Sequence, residues 1–183
     1  MFVGKGFSLP GHSEKGTHME LTYENVSRWF DVYFEDVHKN QGDLATVPNL
    51  RKYFDADLEL TMYTSPSSPP AVLMSRDALL VSFVHPGLFE EIIPKYYAID
   101  LKQMIVVVQF EIRFSDEPSG KKWAPLQASA HYHLEVDESA DLKIRQIHYW
   151  TEALPVDLFE FWRKYREAAL TKLATEYINS NAG

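Results

Sequence analysis

Two histidines separated by one residue, His131 and His133, are the first side chains in this sequence that could do chemistry. On a strand, residues i and i+2 point to the same side, so both imidazoles could reach one metal ion. Glu138 completes an H-x-H-x4-E spacing. A working site also needs a firm third ligand and groups that orient the first three, and the sequence offers neither. The expectation is no high-affinity metal site and no cofactor. His148, between Ile147 and Tyr149, offers a general base with a pKa near neutrality. Asp31, Glu35 and Asp36 are candidate carboxylates, but Asp31 and Glu35 stand four apart, where like charges repel unless solvated. They read as an outer helix face. His85-Pro86-Gly87 reads as a helix break that could line a pocket mouth. No phosphate loop, G-x-S-x-G elbow or H-E-x-x-H motif is present. With no cysteine, thiolate chemistry and disulfides are excluded.

These residues need elements to hold them. Residues 1–21 lack an apolar period and read as an arm. Val26, Trp29, Phe30, Tyr33 and Val37 recur at spacings of three and four, which predicts a helix from Tyr23 to His38 capped by Thr22. A short helical turn follows near residues 49–53, then a strand over 58–63 and a proline-rich loop over 65–70. A short strand at 71–74 leads to a helix from Ser75 or Asp77 to Val84. Leu88 to Ile93 reads as a second short helix ending before Pro94, and Tyr96 to Leu101 as a strand. Ile105 to Phe114 is strongly β-prone. In Leu126 to Val136 apolar and polar residues alternate almost without fault, as on a strand with one buried face. Leu142 to Thr151 is the next strand, and its apolar spacing slips between Ile144 and Ile147, which predicts a bulge. A final helix carries Leu158, Phe161, Trp162, Tyr165, Ala169 and Leu173 on one face.

Composition narrows the partners. The 183 residues form one domain of ordinary globular make-up, 45% hydrophobic, with aromatics high at 14%. A net charge of −8 argues against nucleic acid, whose affinity comes from basic side chains. No run is long and apolar enough for a membrane span, and no signal peptide is visible, so a cytoplasmic location is expected.

A long helix, a short one, a strand, further short helices and then long antiparallel strands predict an α+β fold, a curved antiparallel sheet wrapped around the N-terminal helix with an added C-terminal helix. Asn49-Leu50-Arg51-Lys52-Tyr53-Phe54-Asp55-Ala56-Asp57-Leu58 and Leu142-Lys143-Ile144-Arg145-Gln146-Ile147-His148-Tyr149-Trp150 are two local patterns within that order. Over residues 22–153 the chain resembles the nuclear-transport-factor-2-like superfamily, in particular its SnoaL-like branch of polyketide cyclases, dehydratases and isomerases. It departs from it in the helix added over residues 154–183 and in carrying Thr151-Glu152 where many enzymes of the branch have an Asp.

The resemblance implies a cavity inside an α+β cone. Tyr33 and Tyr63 would hold a substrate carbonyl or enolate and His148 would move the proton. Trp29, Tyr97, Phe110, Tyr132 and Trp150 would line the cavity. The function expected is binding of a hydrophobic small molecule, as in a cofactor-free lyase or isomerase acting on a ketone or polyketide-like substrate. The alternative is a non-catalytic dimerisation or binding module with a filled cavity. In either case the polar sheet face bearing His131 and His133 suits pairing into a homodimer.

Overall fold

The computed structural model describes residues 19–63 and 72–181. Most of the expected arm and the 65–70 loop lie outside the described residues. Helix α1 spans Tyr23–Asn40, and the Thr22 hydroxyl caps it by accepting the Asn25 N–H at 3.2 Å. Glu24 in its first turn and His38 and Lys39 in its last match the helix dipole. Its buried stripe is Val26, Phe30, Tyr33, Phe34 and Val37, close to the predicted one, with Trp29 half-buried at its edge. A 3-10 turn, Val47–Tyr53, leads into β1, Phe54–Tyr63; β2, Val72–Ser75, leads into α2, Arg76–Ser82. Then come β3 (Leu88–Asp100), β4 (Ile105–Asp116), β5 (Leu126–Val136), β6 (Leu142–Thr151) and α3 (Val156–Asn181).

The six strands form one sheet in the order β2-β1-β6-β5-β4-β3. Four of its five pairings are antiparallel, as expected, and the fifth, β1 with β6, is parallel. The last strand inserts between β1 and β5, and it enters in the same direction as β1. The predicted bulge is present. His133 pairs with Gln146 and Leu134 with Ile144, so Arg145 is the extra residue.

One expectation is corrected. Leu88 to Ile93 is not helical, because β3 pairs with β4 along its whole length, from Leu88 opposite Asp116 to Asp100 opposite Ile105. The apolar spacing that suggested a helix instead places Leu88 and Ile92 on the sheet's inner face, Ile92 opposite Ile112. Pro94 is tolerated because β3 is an edge strand, and the register shifts there, between Pro94 and Tyr96.

The start of α3 is fastened to the end of the β3–β4 hairpin. Leu158 is 1% exposed. Phe161 meets Trp123 edge-on, and Lys121 pairs with Asp157. The Tyr165 hydroxyl donates to the buried Asp116 carboxylate, which also accepts from Ser119. Gly87 has φ +94, and a Cβ there would stand 2.8 Å from the Tyr165 ring. The stripe read from sequence is therefore used, but Leu158 is its anchor, while Phe161, Trp162 and Tyr165 are half-buried. Ala169 and Leu173 lie outside the residues whose side chains are described.

Leu158→Ala should cost about 2–5 kcal/mol, the usual range for emptying a filled core position. The exposed neighbour Phe159 should tolerate Ala with a change of about 0.5 kcal/mol or less. Equal denaturation midpoints for the two variants would show that α3 is not anchored here.

Candidate functional site

Alternation along β1, β5 and β6 sorts the predicted site residues onto two faces of the sheet. Tyr33, Trp29, Tyr97, Phe110 and Tyr132 are on the inner side, with α1. His148, Tyr63 and Trp150 are on the outer side, with His131 and His133. Register makes this plain: Tyr63 pairs with Trp150 and Thr61 with His148, whereas the inner positions Leu60 and Met62 pair with Ile147 and Tyr149. The structure brings His148 and Tyr63 together, Oη to Nδ1 at 3.4 Å. It leaves Tyr33 behind the sheet, so the three cannot act on one substrate.

The inner face is an aromatic packing centre. Tyr33 lies 4.9 Å from Phe34 and 5.1 Å from Tyr53, centroid to centroid, and Phe30 lies 5.1 Å from Tyr132. Phe30, Tyr33, Phe34, Phe110 and Tyr132 are 0–6% exposed. A void holding a ligand would expose its walls, so the space between these rings is filled. Burial raises the pKa of both Tyr33 and Tyr132, whose rings meet edge-on at 6.1 Å. They are hydrogen-bonding groups rather than bases. At the margin, Tyr53 donates to Asp36 at 2.6 Å and Lys52 to the same oxygen at 2.7 Å. Burial opposes ionisation of Asp36, but these two partners hold its pKa below the ordinary carboxylate value. Tyr97 donates to Asp31 at 2.9 Å.

On the outer face Tyr63 stacks on Trp150 at 5.0 Å with 9° between the planes. His131 meets Trp150 at 4.5 Å, and His133 meets His148 at 5.5 Å. The pKa values of His131 and His133 are lowered, first by loss of water and then by the neighbouring His148. Among the described residues, no three His, Asp or Glu side chains are placed to hold one metal ion.

A different cluster sits at one end of the cone. His38 at the end of α1, the capping residue Gln41, Gly42 and Asp43, the turn 85–87, the start of β3 and Glu117 line a recess of about 300 Å³. At its floor His85 is 1% exposed, with Nε2 3.1 Å from Glu90 Oε2 and Nδ1 2.9 Å from the Leu88 carbonyl. Both neighbours are acceptors, so the arrangement favours the doubly protonated imidazolium. Burial opposes the charge, but Glu90 and the carbonyl prevail, and the pKa of His85 is raised. Gln41 donates to the Glu90 carbonyl, and its Oε1 is buried with no hydrogen-bond partner among the described residues. Phe89 and His38 meet edge-on at 5.6 Å on the rim. The His85-Pro86-Gly87 break does border a pocket. Glu90 and Gln41 were missed, since a helix over 88–93 would not turn Glu90 toward His85.

No protein-family model matches the sequence, and no curated protein matches it. Solved structures do. ActVI-ORFA from Streptomyces coelicolor superposes with a TM-score of 0.54 at 11% identity, over 72% of this chain and 98% of that one. A candidate SnoaL-like polyketide cyclase from Jannaschia sp. CCS1 gives 0.50 at 12% identity, over 77% and 91%. Nuclear transport factor 2 from Cryptosporidium parvum gives 0.50 at 11% identity, over 69% and 90%. The chain has the α+β fold that these three structures share, the nuclear-transport-factor-2-like fold. No described helix is long and apolar enough to cross a membrane.

The His85–Glu90 pair sets a pH dependence. His85 has a folded-state pKa above the ordinary 6.5, so its contribution is complete below that value and fades as pH rises through the folded pKa. The stability gap between wild type and His85→Gln should be larger at about pH 5.5 than at about pH 8.5, and Glu90→Gln should flatten it. A gap that widens with pH would mean that His85 is buried neutral.

Proposed function

We propose that this chain is a small-molecule-binding protein whose ligand occupies the recess beside His85 and Glu90, with the aromatic centre of the cone serving as its scaffold. The carrying observation is the His85–Glu90 pair on the recess floor. A buried imidazole is costly to charge unless well partnered, and a concave site built around such a group is where binding chemistry concentrates. Glu90 and Asp43 accept hydrogen bonds, so the ligand presents N–H or O–H donors to them, while Phe89, Leu88 and Pro86 face its apolar part. Lyase or isomerase chemistry through His148, Tyr33 and Tyr63 draws no support from the geometry, because the sheet stands between them. Ligand-observed NMR with fragments bearing such donors tests the reading. Binding should be lost in Glu90→Gln and Phe89→Ala and retained in Tyr33→Phe and His148→Gln. At about 100 times its dissociation constant a bound fragment should add about 2.7 kcal/mol of stability. Binding that survives both recess substitutions and falls with Tyr33→Phe would move the site into the cone.

A second reading concerns the outer face. Tyr63, Trp150 and His131 make an aromatic ledge there, and we propose that two copies pair across it as a homodimer. Sedimentation at about tens of micromolar should give twice the 21.1 kDa chain mass, and Trp150→Glu should halve it. A wild-type mass near 21.1 kDa would remove this reading.

A further inference from the structure

The centre of the outer face holds three imidazoles and no formal charge. His131 and His133 on β5 and His148 on β6 face Thr61 and Tyr63 from β1, Gln146 and Trp150 from β6, Ser129 from β5, and Ile105 and Val107 from β4. No carboxylate lies directly opposite the three histidines, but Glu135 stands two residues on from His133 on the same side of β5, where it bonds Arg145 at 3.3 Å, and Glu59 lies opposite Gln146. Farther out, Glu111 pairs with Arg113 at 2.7 Å and Lys95 at 3.7 Å, and Arg113 with Glu91 at 3.4 Å. The face is thus a neutral, aromatic centre with a rim of both signs.

A second copy fits this pattern. The chain carries −8 overall, so two copies repel wherever their acid excess meets, and this centre is free of that excess. A two-fold axis would set the mixed rim of one copy against that of the other, where acid can face base. We propose that two copies pair face to face through this patch at neutral pH and separate when its histidines take up protons. The inference rests on the homodimer reading above. Pairing would bury six imidazoles in one interface, and each proton added at His131 or His148 is a positive charge with little water and no carboxylate directly opposite it. The lowered pKa of His131 and His133 already shows this penalty in the single chain.

The dimer dissociation constant, measured by sedimentation from about pH 8 to about pH 5, should rise about tenfold per pH unit for each proton taken up on separation. Circular dichroism over the same range checks that the subunits stay folded. His131→Gln, His133→Gln and His148→Gln should each flatten that slope, and the triple variant should stay paired at about pH 5. Should the triple variant fail to pair at all, the single-variant slopes decide. A wild-type monomer at about pH 8 would overturn the homodimer reading and this one with it. A dimer equally tight at both ends of the range, or slopes unchanged in all three single variants, would overturn the proton dependence and leave pairing intact.

Discussion

The rest of the structure depends on the contact between the aromatic stripe of α1 and the inner face of the sheet. Phe30, Tyr33 and Phe34 interlock with Tyr132 and Phe110, and the 3-10 turn adds Tyr53 at the end of that stack. Each ring buries a large area, and these contacts are edge-on or tilted, a geometry that ring quadrupoles favour. The contact decides which face of every strand is inside. It also fills the space between those rings.

Two consequences follow for chemistry. The titratable groups near the centre are phenols that burial keeps protonated, so the interior offers donors and no base. Four of the described histidines, His85, His131, His133 and His148, lie away from the aromatic centre. Three go to the outer face by strand alternation, and His85 goes to the turn at the cone's end. There a carboxylate from β3 compensates for its burial.

Local pattern made much of this legible. The helical period of α1, its Thr22 cap, the alternation of β5 and the slipped spacing at Arg145 each follow from contacts within a few residues, so the sequence displays them. The strand at Leu88–Asp100 was not legible, because its first half carries a spacing compatible with a helix and only the β4 partner decides otherwise. The parallel pairing of β1 with β6 has no local signature at all. For the same reason the side on which Tyr63 and His148 lie could not be read, since the alternation of an isolated strand says which residues share a face but not which face is inside. The recess needs Gln41, His85 and Glu90 from three separate segments, and only the break at His85-Pro86-Gly87 hinted at it.

The strand order has a consequence for how the chain comes to be folded. β6 is the last strand made, yet it lies between β1 and β5. Until it arrives, β1 and β5 each show an open edge, and the sheet exists only as two unconnected pieces. During synthesis at roughly 5–20 residues per second, β1 would wait on the order of ten seconds for its partner. Open, apolar strand edges are templates for pairing with other chains. The newborn polypeptide is therefore most exposed to aggregation just before β6 emerges, and a cell making it has reason to keep a chaperone at hand until then.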